Sequence, residues 1–507
     1  MTKSTHYIFA LLGLALLSRL LAIYSLPLIE TTEPRYAEIA RIMAETGDWI
    51  TPWFNYDVPF WGKPPLSFWC QALSINLFGE NEFAVRFPSL LVTLIVLVLI
   101  YRVSKRLSNQ QTGLWSVLIY GTCALSYVLA GAVLTDPFLT LATTLALASV
   151  IEVSSRNKSI SQTLWSYGLF LAIVIGLLAK GPIAVILLGA PIFVWLVFDF
   201  KNRIKLFPWL SGTLLTLVLT LPWYIAAELK TPGFIQYFIV GEHFLRFLDP
   251  GWGGDLYGSA HRYPHGTIWF FAVWASFPWG LVAMILLVAN LKKEGLTSLK
   301  LSFNDNNGGL LIMWMLWPLV FFTMAGNILW TYVQPALPAF AILLALSITK
   351  WIEVNKKYTQ WGFVFASLLP IVGVAATIIS QDNDWVNRQK TEKNLISYVS
   401  AMQESNDSDA VLYYVGELPF SARFYTAGKV KSINENQIDA LFYQTQDQNV
   451  FLAAPKKWVK REKLTERWQL SPIFTDRRYS LFDLSQSSRL AINVSVNSNK
   501  NDLYNGE

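Results

Sequence analysis

Two cysteines and four histidines in 507 residues leave little room for thiolate or imidazole chemistry. Cys70 and Cys123 both lie in apolar surroundings, which excludes a disulfide framework and a thiolate metal site. Charged residues are scarcer still by ordinary standards, at 15% against 53% hydrophobic residues. That balance excludes a disordered or highly solvated chain, and it exceeds what a soluble core consumes. The net charge of +6 is spread over short loops, without the basic and aromatic pattern that would point to nucleic acid.

What the chain has instead is long apolar runs. They recur at 7–28, 84–103, 112–132, 133–151, 163–179, 182–200, 207–227, 267–290, 309–326, 329–349 and 359–380, each long enough to cross roughly 30 Å of hydrocarbon as a helix. The fold class expected is an α-helical polytopic membrane protein with about 11–13 transmembrane helices. Juxtamembrane helices, of which the short apolar stretch 66–78 is one candidate, accompany them. The first run lacks a small-residue cleavage site and reads as a retained anchor.

Basic residues orient the bundle. Lys3, then Arg102, Lys105 and Arg106, then Arg156 and Lys158, then Lys201, Arg203 and Lys205, then Lys292 and Lys293, and finally Lys350, Lys356 and Lys357 all fall on one side of the predicted spans. The positive-inside rule makes that side cytoplasmic, with the N-terminus. The opposite, periplasmic or extracellular face then carries residues 29–83, Asp136, Lys180, the loop 228–266 and the C-terminal segment. The polar residues worth attention are therefore gathered on one surface by a rule that knows nothing of catalysis.

Three domains are expected. Residues 1–380 form the membrane part with outer loops 29–83 and 228–266. Residues 381–485 turn polar, with alternating stretches at 410–415 and 449–454, and read as a small extracytoplasmic α/β domain. Residues 486–507, rich in Ser and Asn, read as a disordered tail.

Within the first outer loop, Pro34 to Glu45 predicts a short amphipathic helix with Tyr36, Ile39, Ala40 and Met43 on one face, and Glu33 at its positive end. Glu30 and Glu33 there are either reactive carboxylates or plain helix caps. Asp136 sits in a tight turn between two runs, where a carboxylate is costly without partners; the alternative is a cap with Pro137 at the first helical position. Lys180 in Lys180-Gly181-Pro182 either binds an anion or snorkels to the headgroups. The loop 228–266 holds Glu242, His243, Arg246, Asp249, Asp255, His261 and His265. Glu242, His243, His261 and His265 could hold a divalent metal, but no His-Glu-x-x-His spacing is present, and phosphate contact is the stronger reading. Trp252, Tyr257, Tyr263 and Trp269 read as an interfacial belt.

Several stretches, taken in order, resemble a known family. Glu33-Pro34-Arg35-Tyr36-Ala37-Glu38-Ile39-Ala40, Gly47-Asp48-Trp49, Lys63-Pro64-Pro65, Leu77-Phe78-Gly79 and Arg86-Phe87-Pro88-Ser89 resemble the first outer loop of bacterial C-type glycosyltransferases. These include the aminoarabinose transferases that modify lipid A and, more distantly, the protein O-mannosyltransferases. Asp136-Pro137, Lys180-Gly181-Pro182, Glu242-His243 with Arg246, and Thr331-Tyr332-Val333-Gln334-Pro335 continue the pattern over residues 1 to 380. Two positions depart from it: Thr32 stands before Glu33 where the family carries an Asp-Glu pair, and Gly62 stands before Lys63 where the aminoarabinose transferases carry Glu.

The resemblance implies transfer of a sugar from a polyprenyl-phosphate carrier to a membrane lipid, glycan or protein acceptor, with inversion at the anomeric carbon. It fixes no cofactor and leaves a divalent metal open. Glu33, Asp136 and the displaced Glu30 become the catalytic candidates. Arg35, Tyr36, Lys63, Arg86, Lys180, Glu242, His243, Arg246, His261 and Tyr332 become the substrate-binding ones. A departing phosphate needs its charge held, which suits Lys63, Arg35, Arg86, Lys180 and Arg246. A hydroxyl acceptor would need Glu33 or Asp136 as base, whereas a phosphate acceptor would not. The competing class is a transporter or flippase of lipid-linked sugars. Transporters place such charges at mid-bilayer depth and show internal repeats, neither of which is evident here.

Overall fold

The structure is a computed structural model that describes residues 3–154, 160–249, 252–258, 261–294, 306–355, 359–406, 410–438, 440–441, 450–461 and 471–484. The expected tail, 486–507, lies outside the described residues, as do Arg156, Lys158, Lys356 and Lys357. By its contacts the chain divides into two compact units, Met1–Ser25 with Ile42–Ile378, and Leu26–Arg41 with Ile379–Glu507.

The first unit is helical, and every apolar window coincides with a helix or a helix pair. Among the described residues, seven helices are long and apolar enough to cross a membrane, or up to nine if each of two bent pairs is one span. The difference from the eleven windows has local causes. Ile183–Val197 turns through 117° into the short helices ending at Leu206, and Thr267–Ala275 turns through 101° into Trp279–Lys292 near Pro278. The window 112–132 is two helices, Gln110–Thr122 and Ala124–Leu129, broken at the extended Cys123. Hydropathy averages over such breaks, because it registers composition and not direction.

Helices Asp136–Val153 and Ile160–Lys180 form an antiparallel hairpin. The former is buried along almost its whole length, which fits its small residues Thr140, Ala142, Thr143, Thr144, Ala146 and Ala148. Its two ends carry opposite roles. At Glu152, buried at 6% exposure, Arg102 Nε (2.8 Å) and Arg106 Nη1 (3.1 Å) neutralise the carboxylate. At the other end, roughly 24 Å away by helical rise, stands Asp136. Cys70 and Cys123 are free thiols. Leu66–Phe78 is a 13-residue helix with a buried face of Phe68, Gln71, Ala72 and Ile75. Before it lies a small antiparallel hairpin, β1 (Trp53–Asn55) and β2 (Val58–Pro59).

The second unit is α/β. Its sheet has the order β4-β3-β5-β7-β6, from β3 (Val411–Val415), β4 (Lys431–Ile433), β5 (Val450–Pro455), β6 (Phe474–Thr475) and β7 (Tyr479–Asp483). β3 runs parallel to both β4 and β5, while β7 is antiparallel to β5 and β6. β5 and β7 are buried on both faces; β5 accordingly reads as a continuous apolar run, while β7 also buries Ser480 and Asp483. Helix Lys393–Asn406 covers one face through Leu395, Ile396 and Val399. The same unit contains the N-terminal half of helix Thr32–Thr46, whose Tyr36, Ala37, Ile39 and Ala40 are buried. Inside that half, Glu38 and Arg41 form a buried bidentate ion pair of 2.7 and 2.9 Å.

Candidate active site

The first unit contains one polar cleft into which distant stretches of chain project. Lys63, Asp136, Lys180, Glu242, His243, Arg246, Asn327 and Tyr332 line it, with Leu139, Phe247 and Phe322 as its apolar wall.

Asp136 opens its helix and Lys180 closes the antiparallel neighbour, so hairpin topology brings the two together: Lys180 Nζ donates to Asp136 Oδ1 at 2.6 Å. An acid at a helix N-terminus and a base at a helix C-terminus are each favoured by the local backbone dipoles. Lys180 also lies over the Tyr332 ring, 5.2 Å from its centroid. Gly181 ends the helix with φ +81°, and a Cβ there would come within 2.5 Å of Phe238 and 3.2 Å of His243. Only glycine supplies both the left-handed turn and the space.

Glu242, His243 and Arg246 come from a π-helix, Gln236–Leu245, and the residue after it. In that winding residues five apart stack. Phe238 thus lies edge-on to His243 at 4.7 Å and offers its carbonyl to His243 Nδ1 at 2.7 Å, while Tyr237 donates to Glu242 Oε1 at 3.4 Å. Arg246 Nη1 bonds both Glu242 oxygens at 2.9 and 3.0 Å, and Lys63 Nζ reaches Oε2 at 3.3 Å. Burial would raise the Glu242 pKa, but Lys63 and Arg246 outweigh it and hold the carboxyl below its ordinary value. Burial would likewise lower Arg246, but Glu242, Tyr332 and Asp255 reverse the sign. His243 is pushed down, first by burial and also by Lys63, so the imidazole is neutral near pH 7. Its Nε2 faces the Lys180 carbonyl at 3.2 Å.

Lys63 is presented by the turn after β2, which Tyr257 fixes. The Tyr257 hydroxyl accepts from Trp61 N–H at 3.0 Å and donates to Pro59 O at 2.7 Å, and its ring packs on Phe54 and Phe60. Trp252 packs against Tyr237 and over Gly241. These two aromatics, expected in an interfacial belt, instead brace the cleft. The sequence reading also missed Asn327, whose side-chain oxygen accepts from the His261 N–H at 3.1 Å.

The loose metal set does not assemble. His261 and His265 are exposed, Glu242 is occupied by two cations, and among the described residues no group of three or more His, Cys, Asp or Glu side chains could hold an ion. His261 does not line the cleft, and neither does the buried Arg86 at the start of helix Glu82–Leu107.

Glu30, Glu33, Arg35 and Tyr36 belong to the second unit. Glu33 stands in the first turn of helix Thr32–Thr46, and the Arg35 guanidinium lies 5.4 Å from the Tyr36 ring centroid. Glu30 is tied down: Ser421 N–H donates to its Oε1 at 2.6 Å, and Arg478 Nη2 is 3.9 Å away.

The cleft thus gathers cations from separate segments of a helical membrane protein, each held in place by a carboxylate. Residues 9–238 match the family model described as dolichyl-phosphate-mannose-protein mannosyltransferase. The chain is 32% identical over 354 residues to an undecaprenyl phosphate-alpha-4-amino-4-deoxy-L-arabinose arabinosyl transferase of Pectobacterium atrosepticum, covering 68% of this chain and 60% of that protein. It is 30% identical to the transferase of the same name from an Enterobacter strain, covering 71% and 63%. The matched segments thus span less than two thirds of these relatives' own length. The crystal structure of ArnT from Cupriavidus metallidurans bound to undecaprenyl phosphate shares the fold, with a TM-score of 0.70 over 95% of this chain and 98% of that one, at 17% identity. The chain is thus similar in sequence to these transferases over its membrane part and in fold to ArnT.

Proposed function

We propose that this protein transfers a glycosyl group from a polyprenyl-phosphate carrier to a lipid A-like, glycan or protein acceptor on the periplasmic face of the inner membrane, with inversion. The observation that carries the reading is the cleft of Lys63, Lys180 and Arg246, three cations from separate segments held by Asp136 and Glu242, with Asp255 3.3 Å behind Arg246. Its relatives' printed names, which specify an undecaprenyl-phosphate aminopentose donor, favour a pentosyl group over a hexosyl one.

The chemistry follows from charge. When the anomeric C–O bond breaks, the carrier phosphate gains negative charge and the sugar acquires oxocarbenium character. Lys63 and Arg246, preorganised by Glu242, would take up the growing charge on the phosphate without reorganising at the moment of reaction. Lys180, steadied by Asp136 and Tyr332, supplies the third cation. Asp136 orients the acceptor, and Glu33 is assigned as the base for a hydroxyl acceptor on the strength of its sequence motif. General base catalysis of that kind is worth about 10²–10⁴-fold. Arg35 and Tyr36 are assigned to the donor on the same basis, whereas Arg86 and His261, which do not line the cleft, receive no role in the chemistry. The positive-inside pattern places the N-terminus in the cytoplasm and the C-terminal unit outside it. A transporter reading would leave the fixed ion pairs of the cleft without a task, because a carrier must release its cargo on both sides.

The test is turnover by the purified protein with undecaprenyl-phosphate-linked aminopentose and lipid A, following release of free carrier and the anomeric configuration of the product. Asp136→Asn and Glu33→Gln are expected to abolish transfer while membrane insertion persists. Wild-type rates in both variants would remove these carboxylates from the mechanism, and retention of configuration would remove the single displacement.

A further inference from the structure

Segment 28–30 is hydrogen-bonded into the unit that contains the C-terminal sheet. In an open α/β sheet, ligands bind beyond the carboxyl ends of the parallel strands, at the point where successive connections leave to opposite sides. Here that point lies at β3: the chain passes from β3 to β4 on one side and then to β5 on the other. Helix Phe420–Tyr425 begins there, four residues after β3 ends. Leu28 N–H donates to the Tyr425 hydroxyl at 2.8 Å, Glu30 N–H to Lys390 O at 2.8 Å, and the Glu30 carboxylate accepts from Ser421 N–H at 2.6 Å.

A second layer fixes the partners. Ser421 Oγ accepts from Glu392 N–H at 3.2 Å. The fully buried Glu392 holds Arg478 by two bonds of 3.1 and 2.7 Å and accepts from the Tyr414 hydroxyl at 3.0 Å. Arg478 therefore stands between Glu392 and Glu30. Burial pushes the Glu30 pKa up in spite of Ser421 and Arg478. A carboxylate so enclosed is badly placed to exchange protons with a substrate, and well placed to hold its own backbone. Two residues further on begins the helix whose first turn carries Glu33 and Arg35.

We infer that Glu30 is a positioning residue, a latch by which the C-terminal domain, through Ser421, Tyr425 and Arg478, sets the start of the helix that carries Glu33 and Arg35. The inference rests on the proposed function only where it assigns Glu33 to the chemistry; the latch itself is a statement about the chain.

The experiment compares Glu30→Ala, Glu30→Gln and Tyr425→Phe in the full-length protein, reading donor kcat and KM together with amide hydrogen exchange across Thr32–Thr46. Glu30→Ala is expected to lower kcat by about 100-fold, the loss a misplacement near 1 Å causes, with a rise in donor KM from the displaced Arg35 and faster exchange in the first turns. Glu30→Gln keeps an acceptor for the Ser421 N–H and should restore most of kcat and of the protection. Tyr425→Phe should move both readouts in the same direction as Glu30→Ala but less, and it decides the matter if Glu30→Ala does not fold. Unchanged exchange in Glu30→Ala overturns the latch. A Gln variant as inactive as Ala, with normal exchange, overturns it in favour of a chemical role for Glu30. If the wild type transfers no sugar, the proposed function fails, and the exchange arm alone still decides the latch.

Discussion

Replacing Lys63 with alanine isolates the electrostatic role assigned to the cleft. The ammonium is about one-fifth exposed and faces the Glu242 carboxylate, itself 5% exposed, at 3.3 Å. One unit charge about 4–5 Å from a phosphate oxygen is worth about 3–4 kcal/mol at an effective dielectric of about 20, and partial exposure brings that to about 2 kcal/mol. The substitution also leaves Glu242 with Arg246 as its remaining cleft cation, which removes charge balance from the site where the phosphate must bind. Together these predict a loss of roughly 30-fold or more in donor kcat/KM, with the acceptor KM little changed. A pH signature accompanies it. Burial raises the Glu242 pKa and Lys63 is the foremost group that lowers it, so the variant carboxyl should titrate at higher pH. The acid limb of kcat/KM should then move upward relative to wild type. Adding Glu242→Gln to Lys63→Ala removes the uncompensated carboxylate and should recover about 1 kcal/mol of the loss as coupling. The assay is steady-state release of undecaprenyl phosphate at several pH values and two salt concentrations. Donor kcat/KM within threefold of wild type, or an unmoved acid limb, would refute the assignment.

The folded state holds His243 neutral with a depressed pKa, so its contribution to stability is present above pH 6.5 and is lost as pH falls through the folded value; the melting temperature should drop on acidification, and His243→Gln should flatten that drop. Glu392 carries the opposite sign: burial, then Asp476, pushes it up to about 8, so its contribution is present below pH 4.5 and is lost as pH rises through about 8. Melting of Glu392→Gln between pH 5 and 9 should lack that alkaline decline. Glu38→Leu strands the Arg41 charge in the interior and should cost about 3–5 kcal/mol, whereas the double variant with Arg41→Met should recover most of it, as read by thermal unfolding in detergent. Gly181→Ala forces a Cβ onto Phe238 at a positive φ; a loss of about 1–3 kcal/mol in stability with lower kcat is expected, and wild-type behaviour would mean the turn is looser than its contacts.

Much of this molecule is legible in its sequence because membrane solvent leaves few options. Every apolar window became helix, since hydrocarbon tolerates no unpaired backbone. The strands Val411–Val415 and Val450–Pro455 lie where alternating or apolar stretches predicted them. Asp136 and Lys180 could be singled out as costly charges between spans, but not as partners. Their pairing depends on hairpin register, which hydropathy does not encode. The bends after Val197 and Ala275 were illegible for a related reason, as mean hydropathy carries no direction. The histidine-rich loop was misleading in its turn. Proximity in sequence suggested a ligand cluster, whereas His261 and His265 face outward and only His243 enters the cleft. Glu30 was indistinguishable from a reactive acid because its partners Ser421 and Arg478 are nearly 400 and 450 residues away.

The π-helix Gln236–Leu245 shows why the cleft needed a departure from regular winding. At 3.6 residues per turn, Glu242 and Arg246 would share a face with Phe238, and His243 would stand about 100° away from Glu242. Widening the turn sets Phe238 beneath His243 and Tyr237 beneath Glu242, so one aromatic supports the neutral imidazole and the other donates to the carboxylate. Adjacent residues Glu242 and His243 can then both line one cleft, the first holding Lys63 and Arg246, the second bonded through Nδ1 to the Phe238 carbonyl. Lys63 and Arg246 are thereby coupled through one carboxylate that this backbone irregularity presents, while Lys180 is held separately by Asp136. Such distortions cost stability and collect at functional sites, and here the return is a preorganised cluster of paired charges and an imidazole that the regular winding would set on different faces.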